Sequence, residues 1–120
     1  ARRERPGLTV SAAVFNNLRR AREEICQDWK AWLDSGDLDY VCTMSYAPRL
    51  ADFQEMIAGQ QQAAGRARVV IGIGSWKLER MADLAAQIQT VRAAGAPGFV
   101  LFSYDDAAAR DFLPRFAAGP

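Results

Sequence analysis

The chain has 120 residues, half of them apolar and about a quarter charged, which is the composition of one folded domain of ordinary size. Its formal net charge of +1 is too small to favour nucleic acid or an anionic membrane as a partner. No apolar run approaches the roughly 20 residues of a membrane span. Histidine is absent, which excludes a Ser-His-Asp triad and a histidine metal site within this sequence. We predict a single domain over residues 1–120, with no cofactor and no metal.

Four apolar runs predict four β-strands. Each run is nearly continuous and lacks a clean polar alternation, which is typical of strands buried on both faces of a parallel sheet. The predicted strands are Leu8–Phe15, Asp39–Tyr46, Arg68–Ser75 and Gly98–Tyr104.

Helical periodicity fills the intervals between the strands. Ile25, Trp29, Trp32 and Leu33 form one apolar stripe, which predicts a helix over Arg19–Leu33. Glycine at a helix end favours a left-handed stop, and proline ends or bends a helix. The first helix is therefore predicted to stop at Gly36. Two further helices are predicted over Arg49–Ala64, with a stop at Gly65, and over Leu78–Ala94, with a stop at Gly95 and Pro97. A last helix is predicted to begin near Asp106, and Pro114 should bend or end it.

Strands that alternate with helices imply parallel pairing, since each helix carries the chain back to start a neighbouring strand. Two architectures fit: a small open doubly wound α/β sheet, or the C-terminal half of a TIM (β/α)8 barrel, because four units are half of eight. An isolated half-barrel would expose two unpaired strand edges. As partner we therefore predict either the missing N-terminal half-barrel or self-association through these edges. The chain starts at Ala1 in mid-pattern, without a visible signal peptide, and we expect a fragment of a larger catalytic domain.

The two cysteines, Cys26 on the first predicted helix and Cys42 on the following strand, do not form a CxxC pair. Without a ligand cluster around them, a zinc site is not predicted. A disulfide requires that they face each other. Two buried free thiols that act as small hydrophobic side chains are the favoured interpretation.

In α/β folds the ligand end is where strands finish and helices begin. At the first such position, Asn16 can hydrogen-bond sugar hydroxyls, although Asn16 or Asn17 can instead cap the next helix. At the second, Tyr46 offers a ring face for stacking on a sugar. Alternatively, Tyr46 is a core residue whose hydroxyl forms a hydrogen bond with the backbone.

The third strand ends in glycines followed by Ser75, Trp76 and Lys77. Gly72 and Gly74 alternate, so one face of the strand carries no side chain there, which marks close approach of a ligand or relieves crowding inside a barrel. The segment lacks the spacing of a P-loop and of GxGxxG, so phosphate binding is not predicted. Ser75, Trp76 and Lys77 are candidate substrate-binding residues.

The fourth predicted strand ends at Tyr104, and Asp105 and Asp106 follow it. These are the carboxylates placed directly after a predicted strand, and glycoside hydrolysis commonly uses two carboxyl groups. Adjacent side chains diverge, so the pair is not an evident acid–base pair, and one of them can cap the next helix. Asp105 is the candidate catalytic residue and Tyr104 a candidate ring of the substrate platform.

The chain resembles the glycosyl-hydrolase-like family known as "family 10 glycosylhydrolase", which is distinct from the family 10 xylanases. Members commonly have a tryptophan helix followed by the strand pattern D-[FY]-V-x-P-M-x-Y. The matching segments here are Asp28–Leu33, Asp39–Tyr46, Val70–Gly74, Gln87–Arg92 and Gly98–Tyr104.

This resemblance implies a (β/α)8 barrel hydrolase that acts on a polysaccharide or cell-envelope glycan, from a parent that is exported. Tyr46 and the segment Ser75–Lys77 would then line a sugar cleft. Thr43 departs from the proline of the strand pattern, and the early strands, which carry at least one essential carboxylate in related barrels, are absent. The isolated chain is therefore expected to be inactive. The alternatives are a non-catalytic carbohydrate-binding or scaffold barrel, and an excised half-barrel that assembles with itself.

Overall fold

A computed structural model of the chain describes residues 4–64, 68–104 and 113–117. Strands and helices alternate in the predicted order, so the α/β class is confirmed. In chain order the elements are β1 (Ser11–Phe15), α1 (Leu18–Ile25), α2 (Trp29–Asp34), β2 (Tyr40–Met44), α3 (Leu50–Ala64), β3 (Val69–Gly74), a 3₁₀ turn (Ser75–Lys77), α4 (Met81–Ala93), β4 (Phe99–Phe102) and α5 (Leu113–Ala117).

The strands form one four-stranded sheet in the order β1-β2-β3-β4, and each neighbouring pair is parallel. Every strand therefore lies beside its sequence neighbour, and all carboxyl ends meet at one edge of the sheet. In register, Phe15 lies beside Met44, Met44 beside Gly72, and Gly74 beside Phe102.

Helices α1 to α4 cover one face of this sheet. Alternate strand residues such as Val14, Val41, Ile71 and Ile73 are fully buried in the same core cluster as Phe53 of α3. The remaining core residues of this cluster are Ala21, Trp29, Leu33, Ala47, Ile57, Ala64, Val69, Leu84, Ile88 and Val91.

The second face of the sheet is left open by the described residues. Phe15, Val100 and Phe102 point to it and are 49%, 44% and 50% exposed. The prediction that every strand is buried on both faces is therefore wrong for this chain. The runs are apolar on both sides, but α1 to α4 pack on one side. We call the side opposite these helices the open face; its strand residues are Ser11, Ala13, Phe15, Tyr40, Cys42, Met44, Val70, Gly72, Gly74, Val100 and Phe102.

The first predicted helix is two helices, α1 and α2. Cys26 follows α1 in a left-handed conformation with φ of 55°, and the Asp28 side chain accepts from the Ala31 N–H to cap α2. The break turns the chain so that Trp29 is fully buried, whereas Ile25 stays 45% exposed. The prediction that Cys26 lies within a helix is wrong. Both cysteines are free, as favoured, but Cys26 is exposed and Cys42 only partly buried, so the prediction of two buried thiols is also wrong.

The glycine stops at Gly36 and Gly95 are confirmed, since both have positive φ (78° and 69°) directly after a helix. Gly65 and the predicted start of the last helix near Asp106 lie outside the described residues. Pro114 is the second residue of α5, in the first turn, where proline removes no intrahelical hydrogen bond.

Within the described ranges, no helix is both long enough and apolar enough to cross a membrane.

Candidate functional site

Three aromatic rings meet at the carboxyl end of the sheet. The Tyr46 ring lies edge-on to Trp76 with centroids 4.7 Å apart, and it stacks on Phe102 at 5.6 Å with an interplanar angle of 16°. Trp76 and Phe102 meet edge-on at 5.4 Å. Trp76 is 51% and Phe102 50% exposed. This aromatic cluster therefore combines rigid mutual packing with free ring surface, which suits it to bind the apolar face of a flat ligand.

Two glycines of β3 make room for the cluster. A Cβ on Gly74 would lie 2.9 Å from the Trp76 ring and 3.0 Å from Tyr46 Cβ. A Cβ on Gly72 would lie 2.4 Å from the Thr43 carbonyl oxygen and 3.5 Å from the Tyr46 ring. The glycines thus let the rings and the β2 backbone approach the sheet, which is the crowding interpretation of their alternation.

A buried hydrogen-bond network holds the Tyr46 segment from the helix side. Thr43 Oγ1 donates to Gln60 Oε1 at 2.7 Å, and Gln60 Nε2 donates to Ser45 Oγ at 2.8 Å. From α4, Gln87 Nε2 donates to the Ala47 carbonyl at 2.8 Å. Two helices therefore fix the backbone on either side of Tyr46, and the ring is positioned before any ligand binds.

Thr43 has a structural role in this network. Its side chain is fully buried on the helix side and belongs to this network. Proline at this position would lack the hydroxyl that donates to Gln60.

Ser75 and Lys77 lie on either side of Trp76 in the sequence and differ in whether their polar groups are free to bind a ligand. Ser75 is 8% exposed, and its Oγ donates to the Phe102 carbonyl at 3.1 Å, which joins the ends of β3 and β4. The Ser75 hydroxyl therefore holds the two strand ends together and is not free to bind a substrate. The Lys77 ammonium lies 6.0 Å from the Trp76 ring centroid, at the outer limit of a cation–π contact, and its side chain is exposed.

The Tyr46 hydroxyl stays protonated at neutral pH. Burial raises the pKa of Tyr46 above its ordinary value, and the Cys42 thiol on the same strand adds to the rise. Among the residues that the structure describes, no partner accepts from or donates to this hydroxyl, so the interpretation of a backbone-satisfied core ring has no support there. Tyr46 can therefore offer a ligand an O–H donor beside its ring.

Asn16 lies apart from the aromatic cluster. Its Nδ2 contacts Met56 Sδ at 3.0 Å, on the helix side of the sheet, in a cleft of about 750 Å³ between α1 and α3. Both arginines of this cleft are paired, Arg19 with Glu23 and Arg20 with Glu24. A ligand in the cleft would therefore compete with these carboxylates for the two guanidinium groups. Asn17, not Asn16, caps α1 by accepting from the Arg20 N–H at 3.0 Å, which confirms the capping alternative.

Tyr104 is near the cluster in sequence but not part of it. It is 79% exposed, and among described residues it makes no ring contact. Asp105, the candidate catalytic residue, lies outside the described residues. Sequence reasoning placed Tyr46 and Trp76 at the same end of the sheet but missed Phe102, whose signal was available: it is two residues before Tyr104, hence on the same side of the strand. Gln60 and Gln87 were also missed, because a polar residue on a helix gives no sign that it will be buried.

No group of His, Cys, Asp and Glu side chains that could hold a metal ion occurs among residues 4–64, 68–104 and 113–117. No family model, curated protein or solved structure matches the chain.

Proposed function

We propose that this chain is half of a closed TIM barrel that binds glycans at the carboxyl end of its strands and belongs to a glycoside-hydrolase-like domain. Three features support the barrel. The strand order follows the sequence without reversal, helices α1 to α4 cover one face, and the opposite face is apolar. A doubly wound sheet reverses its strand order and carries helices on both faces, whereas a barrel turns one apolar face inward.

The aromatic cluster carries the proposal for function. Sugar rings have apolar C–H faces that pack on aromatic rings, while their hydroxyls need hydrogen-bond partners. The exposed surfaces of Trp76 and Phe102 can pack on the C–H faces. The Tyr46 hydroxyl, which has no hydrogen-bond partner among the described residues, and the exposed Lys77 can bond the hydroxyls of the sugar. This site lies at the barrel end where ligands bind in such folds.

A soluble oligosaccharide titration tests the binding step. Gluco-, xylo- and N-acetylglucosamine oligomers are added while the backbone amide resonances of the chain are followed by NMR, a readout that the wild type and both variants share. Covering about 60 Å² of ring surface contributes about 1.5 kcal/mol, so Trp76→Ala should weaken binding roughly tenfold. Ile25→Ala, at an equally exposed apolar position on α1, should leave it unchanged. Absence of binding by all oligomers, or equal binding by both variants, rules out the site.

The cleavage step is assigned to a chain that contains all eight strands, with Asp105 as a carboxylate near the scissile bond. In that longer chain, Asp105→Asn should lower the release of reducing ends by about 10²–10⁴-fold, the usual contribution of a catalytic acid or base. Undiminished cleavage would exclude Asp105 from the chemistry.

A non-catalytic carbohydrate-binding barrel is the second candidate. It is favoured by the positions of the paired carboxylates in the described part of the chain: Glu23, Glu24, Asp28, Asp34, Asp52 and Asp83 all lie on helices or cap them. Oligosaccharide binding without cleavage by the eight-stranded chain would decide for this candidate.

A further inference from the structure

The side-chain amide of Gln87 on α4 is buried with only one of its two ends bonded. Gln87 is 2% exposed, and its Nε2 donates to the Ala47 carbonyl at 2.8 Å, whereas its Oε1 has no hydrogen-bond partner among the described residues. A buried acceptor without a partner destabilises a fold, so its presence needs a physical reason. The Trp29 indole N–H is also buried without a partner, but it belongs to a large ring that packs in the core. Gln87 ends in the amide alone, so core packing does not explain its burial.

The neighbours of Gln87 on α4 show what stability alone would favour at this position. Leu84, Ile88 and Val91 are 0%, 4% and 1% exposed and belong to the apolar core. Gln60 of α3 is a buried amide of the other kind, because both its oxygen and its nitrogen are bonded. The bond to the Ala47 carbonyl is therefore the feature that sets Gln87 apart.

The Ala47 carbonyl lies where the chain has no regular hydrogen-bond partner. β2 ends at Met44 and α3 begins at Leu50, so Ala47 belongs to neither element. The next residue, Pro48, has no N–H, and no backbone donor among the described residues reaches the Ala47 oxygen. Ala47 is 4% exposed, which leaves little access for solvent. The Gln87 amide is the donor that satisfies this oxygen.

Tyr46 is thereby held at the residues on both sides of it. Before it, the Ser45 N–H donates to the Gly72 carbonyl at 3.1 Å, which ties the chain to β3. After it, the Ala47 carbonyl is held by Gln87 of α4. Removal of the second contact would leave the chain that follows Tyr46 free to shift while β2 and its pairing with β3 stay intact.

We infer that Gln87 is a positioning residue for the ligand site, and that it acts on the Tyr46 ring through the Ala47 carbonyl. The Tyr46 ring contacts both other rings of the aromatic cluster, Trp76 at 4.7 Å and Phe102 at 5.6 Å, so a shift of Tyr46 loosens the whole platform. A local rule that is broken at a functional site is expected when stability and function compete. This inference rests on the proposed function, since it assigns the residue that holds that same site ready for its ligand.

Gln87→Met tests the inference, because methionine has about the same length and lacks the amide. The variant removes the unpaired Gln87 oxygen but leaves the Ala47 carbonyl unpaired, so the number of buried groups without a partner is unchanged. The urea midpoint should therefore shift by less than about 0.5 M. The NMR signals of the Tyr46 ring should move towards those of an exposed tyrosine. Oligosaccharide affinity should fall roughly three- to tenfold, because the ring must then be ordered on binding.

Gln61→Met is the matched control. Gln61 Nε2 donates to the Ala94 carbonyl at 3.0 Å, the same kind of bond between α3 and the chain after α4. Ala94 lies at the end of the sheet where β4 begins, opposite to the ring cluster. This variant should leave the Tyr46 signals and the oligosaccharide affinity unchanged. Gln87→Leu repeats the test with a second apolar shape, so that a steric effect of methionine is recognised.

Three results would overturn the inference. The first is a Tyr46 ring whose signals do not move in Gln87→Met and Gln87→Leu. The second is a shift of equal size in Gln61→Met. The third is a urea midpoint lowered by more than about 0.5 M in both Gln87 variants, since stability would then account for the amide. If the wild type binds no oligosaccharide, the proposed function fails, and the ring signals still decide whether Gln87 positions Tyr46.

Discussion

The two faces of the sheet are built from the same strands, and both are apolar, yet they differ in what covers them. On the helix side, Val41, Ile71 and Ile73 are 0% exposed. On the open side, Phe15 and Phe102 remain about half-exposed. Burial of apolar surface is the main source of stability. The helix side therefore stabilises the chain, and the open side leaves apolar surface exposed beside the ring cluster.

Truncation of a buried ring on the helix side should give the largest effect. Phe53 is 0% exposed, and Phe53→Ala should lower the free energy of unfolding by about 3–5 kcal/mol through lost burial and a residual cavity. Phe15→Ala on the open face should cost less than about 1 kcal/mol, since Phe15 is 49% exposed. Urea unfolding measures both, and equal losses would contradict the difference between the faces.

A glycine on the open face comes next. Gly72→Ala should cost about 1–3 kcal/mol, because the new Cβ would lie 2.4 Å from a backbone oxygen of β2, which cannot move aside as a side chain can. Gly59→Ala is the matched control. Gly59 lies within α3 with nothing within 4 Å of an added Cβ, so alanine should stabilise by roughly 0.5–1 kcal/mol. If Gly72→Ala leaves the free energy of unfolding unchanged, the Thr43 carbonyl does not crowd a Cβ at this position.

The buried polar network on the helix side gives a moderate effect. Thr43→Val preserves shape but removes the donor to Gln60, and leaving that buried oxygen unsatisfied should cost about 1–3 kcal/mol. Thr9→Val, at an exposed position before β1, should change stability by less than about 0.5 kcal/mol. Because the network fixes the Tyr46 backbone, Thr43→Val should also shift the NMR signals of the Tyr46 ring, whereas Thr9→Val should not.

The smallest expected effect is a difference in reactivity between the two thiols, Cys26 and Cys42. Burial raises the pKa of Cys42, while Cys26 is exposed, so a thiol reagent at mild alkaline pH should label Cys26 about tenfold faster or more. A raised pKa means that folding favours the neutral thiol. Its contribution is complete below the ordinary value of 9.0 and is lost as the pH rises past it. Stability should therefore fall more steeply above this pH in the wild type than in Cys42→Ala, and equal labelling rates would argue against the partial burial.

The strand positions were predictable because they depend on local composition. The predicted run Arg68–Ser75 contains β3 at Val69–Gly74, and Asp39–Tyr46 contains β2 at Tyr40–Met44. The break between α1 and α2 was not predicted, since neither glycine nor proline marks it and the apolar stripe continues across it. Asp28 before Trp29 was the available signal, because aspartate caps helices.

By itself, the sequence determined the order of strands and helices, their parallel direction, and the placement of Tyr46 and Trp76 at one end of the sheet, because periodicity and connection length are properties of neighbouring residues. Only the tertiary structure decided which apolar face the helices cover, that Phe102 joins the rings while Asn16 lies on the other side, and that Gln60 and Gln87 are buried. These outcomes depend on contacts between residues distant in sequence, where packing space and hydrogen-bond partners are set by the whole fold.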